Sequence, residues 1–226
     1  LSAASTAAPL ALLPELNSAQ WLGAAYVLRG SQLGATVVII DPQWPAERAR
    51  FVIEDSGATL LWSEDTGDGD LGRAQVLVPI DNTRPHVAQV TEPRSEGNPV
   101  AAMVYTSGSS GKPKGVPVRH DALIRLGHSL AAHYDVTATS TILQVAAPAF
   151  DVTLSDIALA WCAGAHLVVL PRHDVMPGTT LAHALTTWNI THMQVPAAVL
   201  AATALPQCPS LQVVAVGGEV CPTDTL

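Results

Sequence analysis

The chain has 226 residues, 48% of them hydrophobic and 13% charged, enough to bury a substantial core as one large or two smaller units. Its formal charge of −8, with eleven scattered basic residues, argues against a nucleic-acid surface. Its apolar runs stop short of the roughly 20 residues a membrane span needs, and its first residues lack the basic start of a signal peptide, so a cytoplasmic protein is expected.

Residues 1–8 carry no period. Asn17-Ser18 offers an N-cap before Trp21, Leu22, Ala25 and Leu28, an apolar set at helical spacing with Gly30 and Gly34 near its stop. The β-branched run from Thr36 to Ile40, without polar alternation, predicts a parallel strand buried on both faces. A turn at Asp41 to Pro45, a helix from Glu47 to Glu54 with Phe51 and Ile53 inside, a stop at Gly57 and a strand from Thr59 to Trp62 complete a β-α-β unit. Ser63 to Gly72 reads as an acidic, solvated loop rather than a metal site, Ala74 to Ile80 as a strand, and Asp81 to Pro99 as a proline-rich surface connection.

The run Tyr105-Thr106-Ser107-Gly108-Ser109-Ser110-Gly111-Lys112-Pro113-Lys114-Gly115-Val116 packs glycines and hydroxyls around a turn with two ammonium groups beside it. Glycines uncover backbone N–H groups, hydroxyls donate further hydrogen bonds and lysines supply point charges, so the stretch reads as a polyphosphate cradle. The apolar strand Val100 to Tyr105 places it at a carboxyl strand end, where open α/β sheets bind ligands. Lys112 and Lys114 are the only lysines in the chain.

A Walker A loop is excluded: counting from Gly108, Pro113 stands where the second glycine belongs, and no Ser or Thr follows either lysine. Gly108-Ser109-Ser110-Gly111 is one residue short of a G-x-S-x-G nucleophile elbow. Its core is similar to that of amidase-signature hydrolases, whose serine is activated through a lysine far upstream, but no lysine precedes Lys112.

Beyond the loop, Val116 to Val118 is extended and Asp121 to His133 is helical, with Leu123, Leu126, Leu130 and Ala131 in one stripe. His120, His128 and His133 lack i, i+4 ligand pairing, and Cys162, Cys208 and Cys221 lack C-x-x-C spacing, so neither a metal centre nor a disulfide framework is indicated. Then come a strand at Ser140 to Ala147, a helix from Asp151 towards Trp161 ended by Gly164, and a strand at His166 to Leu170. A helix at Thr179 to Trp188, a strand at Thr191 to Val195, a helix at Pro196 to Ala204 and a strand at Leu211 to Val216 follow. Strands alternating with helices predict a parallel sheet. Asp151, at a helix head, can act as a cap or first-turn acid.

The loop matches Y-T-S-G-[ST]-[ST]-G-x-P-K-G, and on it the chain resembles the AMP-forming adenylate ligases. Asp41 to Arg48 is similar to the D-P-x-[YW]-P-x-E-R element, and Phe150, Asp151 and Asp156 fit F-D-x-S-x-x-[ED], with Thr153 where serine is usual. These resemble the amino-acid adenylation domains of nonribosomal peptide synthetases. The implied fold is α/β, layered parallel sheets flanked by helices, forming an N-terminal core fragment. Residues 1–98 are expected to form a first subdomain, and residues 99–226 a second that carries the phosphate loop and pocket and is incomplete at its C-terminus.

The resemblance implies that ATP, with Mg2+, is gripped by Thr106, Ser107, Gly108, Ser109, Ser110, Gly111 and Lys114. Thr106 and Lys114 are then the catalytic groups, Lys112 is a helper, and Gly217, Gly218 and Glu219 lie beside the adenine. Asp151 would pair with the substrate's α-ammonium, which is costly to desolvate without a carboxylate. Phe150, Val152, Ser155, Gln194, Ala215 and Gly217 would line the substrate site. The small residues among them predict a large side chain, aromatic or long and polar, with Gln194 as a hydrogen-bond partner.

The implied reaction joins an amino acid's carboxylate to the α-phosphate of ATP and passes the acyl group to the phosphopantetheine thiol of a peptidyl carrier protein, alongside further synthetase domains. Magnesium, ribose and carboxylate-polarising elements of the family find no match in these residues, so the chain alone is expected to be inactive. An acyl- or aryl-CoA ligase, and a non-catalytic module of the same fold, are the alternatives.

Overall fold

The computed structural model describes residues 10–13, 36–41, 43–58, 60–63, 75–77, 99–107, 112–205 and 207–221. The helix expected after Asn17, nearly all of the acidic and proline-rich connections, and Gly108, Ser109, Ser110 and Gly111 lie outside them. The structure has two compact units, residues 1–122 and 123–226. The expected boundary at 98/99 falls at the edge of the undescribed connection. The strand that follows it pairs into the first sheet, so by contacts the phosphate-loop strands group with residues 1–122.

The first unit holds a six-stranded sheet built from β1 (Leu10–Leu13), β2 (Val37–Ile39), β3 (Leu60–Ser63), β4 (Gln75–Leu77), β5 (Val100–Ser107) and β6 (Pro113–Arg119). Their order is β4-β3-β1-β2-β5-β6, parallel throughout except for the antiparallel β5–β6 hairpin. β6 is the edge of this set, which suits Pro113 and Pro117, neither of which can donate to a ladder. Val38 and Ile40 pack with Ala49, Val52 and Ile53 of α1 (Ala46–Ser56). Asp41 Oδ1 accepts the Gln43 N–H at 2.8 Å before α1, and the Arg48 guanidinium lies 4.3 Å from the Trp44 ring centre, giving the 41–48 element a structural job.

The second unit holds four parallel strands, β7 (Thr141–Gln144), β8 (His166–Val169), β9 (His192–Val195) and β10 (Val213–Val216), in the order β10-β9-β7-β8. Helices cover both of its faces. Leu143 and Met193 pack against Leu181 and Leu185 of α4 (Thr179–Thr187), whereas Ile142 meets Leu159 of α3 (Asp151–Ala163). Gly164 ends α3 in the left-handed conformation, as Gly57 ends α1. α2 (His120–His133) packs Leu130 and Ala131 of its expected stripe against Ile142 and Leu159, leaves Leu126 exposed, and makes its closest approach at buried Gly127, where a Cβ would stand 2.5 Å from the Ala158 carbonyl oxygen. The short α5 (Ala197–Ala201) follows β9. No described helix is long and apolar enough to cross a membrane.

Candidate functional site

The residues expected to grip phosphate that the structure describes, Thr106, Ser107, Lys112 and Lys114, flank the turn of the β5–β6 hairpin. Ladder partners Thr106 and Lys114 share one face because partners in an antiparallel pair point the same way, and Ser107 stands opposite Pro113 where the loop begins. Thr106, Ser107, Lys112 and Lys114 are all exposed, so a hydroxyl and an ammonium sit side by side in water, ready for an anion.

The opposite face of the hairpin is its anchor. Tyr105 faces Gly115 across the ladder, is buried among Val38, Ala49, Val52 and Ile53, and donates its hydroxyl to Asp55 Oδ2 of α1 at 2.8 Å. A Cβ on Gly115 would lie 3.0 Å from both Met103 Sδ and the Tyr105 ring, so glycine is what lets the ring lie across β6. Burial first, then the Asp55 carboxylate, holds the phenol well above its usual range, so Tyr105 stays a neutral donor. Sequence reasoning placed Tyr105 in the motif without this role; the available signal was an aromatic paired with a glycine across a short turn.

In the second unit, chain segments far apart in sequence converge at the carboxyl ends of the strands. Phe150 is extended and 62% exposed, and α3 begins at Asp151. Asp151 is exposed; its Oδ1 accepts the Val152 N–H at 2.9 Å, and the carboxylate makes no ion pair among the described residues. Thr153, where serine was the expected type, is buried and donates its hydroxyl to the Ala147 carbonyl at 3.1 Å, a bond serine could make equally well.

Ser155 Oγ donates to the Val152 carbonyl at 2.7 Å, and Gln194 Nε2 donates to Ser155 Oγ at 3.2 Å and to Asp156 Oδ1 at 2.6 Å. Ala215 is the ladder partner of Gln194 on β10. The structure thus brings together Val152, Ser155, Gln194 and Ala215, with Gly217 two residues beyond Ala215. Gly217 and Gly218 are exposed, and Glu219 Oε1 accepts the Ala198 N–H at the start of α5 at 2.8 Å.

Asp156 is fully buried, and desolvation pushes its carboxyl up to about 7 against the opposing pull of the Gln194 hydrogen bond. Among the described residues its Oδ2 has no partner, nor has either amide atom of Gln144, which is 1% exposed and stands one position past the Leu143–Met193 pair, beside Gln194. The motif match gave Asp156 only as an acid in a pattern; its place among Leu154, Ile157 and Leu159 was the sign of a buried carboxyl.

The family model of AMP-binding enzymes matches residues 16–226. The chain is 36% identical over 189 residues to one of the linear gramicidin synthase proteins of Brevibacillus parabrevis, covering 82% of this chain and 2% of that protein. Among solved structures, it is similar to a four-domain holo nonribosomal peptide synthetase bound to AMP and glycine, with TM-score 0.77 and 22% identity over 98% of this chain and 16% of the other. It is also similar to the o-succinylbenzoate CoA synthetase of Bacillus subtilis in complex with an acyl-adenylate intermediate, with TM-score 0.72 and 20% identity over 94% of this chain and 56% of the other.

Proposed function

Because the chain belongs to the AMP-binding enzyme family, we propose that it carries the phosphate-gripping and amino-acid-recognising part of a ligase that activates an amino acid as aminoacyl-AMP for loading onto a peptidyl carrier protein. The observation that carries the amino-acid reading is Asp151: an exposed carboxylate at the head of α3, with no ionic partner among the described residues, adjoining the group formed by Val152, Ser155, Gln194 and Ala215. A substrate ammonium supplies the countercharge. Acids that lack an ammonium have no use for it.

The substrate carboxylate is already nucleophilic at neutral pH, so its oxygen attacks the α-phosphorus without a general base, and pyrophosphate leaves. Thr106, Ser107 and Lys114 align and neutralise the leaving phosphates, and the exposed pairing of Thr106 with Lys114 suits that task. The carrier thiol then attacks the acyl carbon and AMP departs. Mg2+ would accompany the nucleotide as a charge-neutralising ion. The described residues gather no group of three His, Cys, Asp or Glu side chains to hold it, so none of them is assigned as its ligand.

ATP–pyrophosphate exchange in the full-length protein, run across the amino acids, tests this reading, with Asp151→Ala expected to lower exchange roughly 10²–10³-fold by leaving the ammonium unpaired. Full exchange by Asp151→Ala would instead favour an acyl- or aryl-CoA ligase, a fold relative of which is the CoA synthetase above.

A further inference from the structure

We propose that Asp156 is a positioning residue that fixes the Gln194 amide with its carbonyl oxygen towards the substrate, so that the site selects an amino acid whose side chain ends in a hydrogen-bond donor. The inference deepens the amino-acid-activating reading and rests on it.

The direction of the amide follows from what its neighbours can accept. Ser155 spends its one hydroxyl hydrogen on the Val152 carbonyl at 2.7 Å, so towards Gln194 it offers only lone pairs. Asp156 Oδ1, 2.6 Å away, is likewise an acceptor, and remains one even when a proton sits on Oδ2. Two acceptors at one end of an amide require the nitrogen there, and both Nε2 hydrogens are consumed, one by each partner. What remains of the Gln194 side chain is Oε1, with no bond among the described residues and no hydrogen to give.

The same row of the sheet explains why this acid is buried at such cost. Ala215, Gln194 and Gln144 stand side by side on β10, β9 and β7. Ala215 is the small neighbour of Gln194 in this row, while Asp156 Oδ2 and the Gln144 amide, without partners among the described residues, belong to the side of the sheet that α3 covers. A carboxylate at the nitrogen end of the Gln194 amide, unlike an apolar residue, dictates which way that amide faces.

Exchange is measured in the full-length protein with pairs of near-equal shape: tyrosine with phenylalanine, threonine with valine, and glutamine with methionine. For the best-accepted pair, the donor-bearing member is expected to be preferred in kcat/KM by at least about tenfold, since a site built to bond a donor rejects the analogue lacking it. Asp156→Asn can turn an N–H towards Gln194 and release the amide to reverse, and Gln194→Met removes the acceptor while keeping the length. Both are expected to bring the ratio within about threefold of unity, whatever happens to the overall rate; a purely structural loss lowers both members of a pair together. The proposal is overturned if the unmodified protein favours the member without a donor or treats the two alike, or if both variants keep the original ratio.

Adding 3-(4-hydroxyphenyl)propanoate and 3-phenylpropanoate separates the two readings. Exchange with these and with no amino acid sinks the amino-acid reading alone, and the donor preference is then judged on this pair by the same rule.

Discussion

The β5–β6 hairpin and the α3–β9–β10 cluster solve opposite problems. At the hairpin the chemistry is exposed and the anchor is buried: Thr106 and Lys114 stand in water on one face while Tyr105 is clamped to Asp55 on the other. In the cluster the groups proposed to recognise the substrate are themselves held by hydrogen bonds, and Asp156, out of contact with solvent, accepts the Gln194 amide N–H. A polyphosphate is a large, highly charged target that exposed cations and hydroxyls suit. Telling one side chain from another needs donors and acceptors held still, which in turn requires desolvation.

If that division is right, removing chemistry from the hairpin leaves the fold intact. Lys114→Ala is expected to cut pyrophosphate exchange in the full-length protein by about 10²–10³-fold, the cost of losing one transition-state charge partner, without moving the thermal midpoint. A fall in the midpoint matching the loss of exchange would erase the contrast between an exposed tip and a structural anchor.

The cluster predicts the reverse, a stability effect that follows pH. Folded Asp156 titrates at about 7, well above the roughly 3.9 of an unfolded aspartate, so across this interval the folded chain holds a proton that the unfolded chain releases. Its stabilising share is complete below about pH 4 and is lost as pH rises through about 7, on the order of 4 kcal/mol in all. The unfolding free energy of the unmodified chain relative to Asp156→Asn should therefore decline across that window in urea titrations; a flat difference would mean that Asp156 is not a desolvated acid.

Two smaller effects sharpen the picture of how each region is propped. Gly127→Ala drives a methyl into the Ala158 carbonyl, and by the usual cost of overpacking should lower stability by about 1–3 kcal/mol. Tyr105→Phe removes one hydrogen bond to a carboxylate and should cost about 1–2 kcal/mol in urea unfolding, with the fall in exchange no greater than the loss of folded protein explains.

Much of this was readable along the chain. The β-branched run at residues 36–40, the glycine stops at Gly57 and Gly164, and the alternation of strand and helix after residue 140 are local signals and appear where expected. β1 has no local signal, because four residues of Leu-Ala-Leu-Leu, flanked by Pro9 and Pro14, carry no period. β6 reads as extended, but its antiparallel return is set by pairing with β5. The helix read from Pro196 to Ala204 shrinks to Ala197–Ala201, with Thr203 buried and bonded back to the Val199 carbonyl.

By itself the sequence determined the family and the α/β class, because a motif's chemistry is written in consecutive residues and propensity acts over a few neighbours. Only the tertiary structure decided that Tyr105 reaches Asp55 across 50 positions, that Gln194 meets Asp156 across 38, and that Gly115 and Gly127 exist to admit a ring and a helix. Those pairings depend on sheet register and on which faces are buried, and a hydrogen bond or a desolvated charge acquires its energy only once distant segments have closed around it.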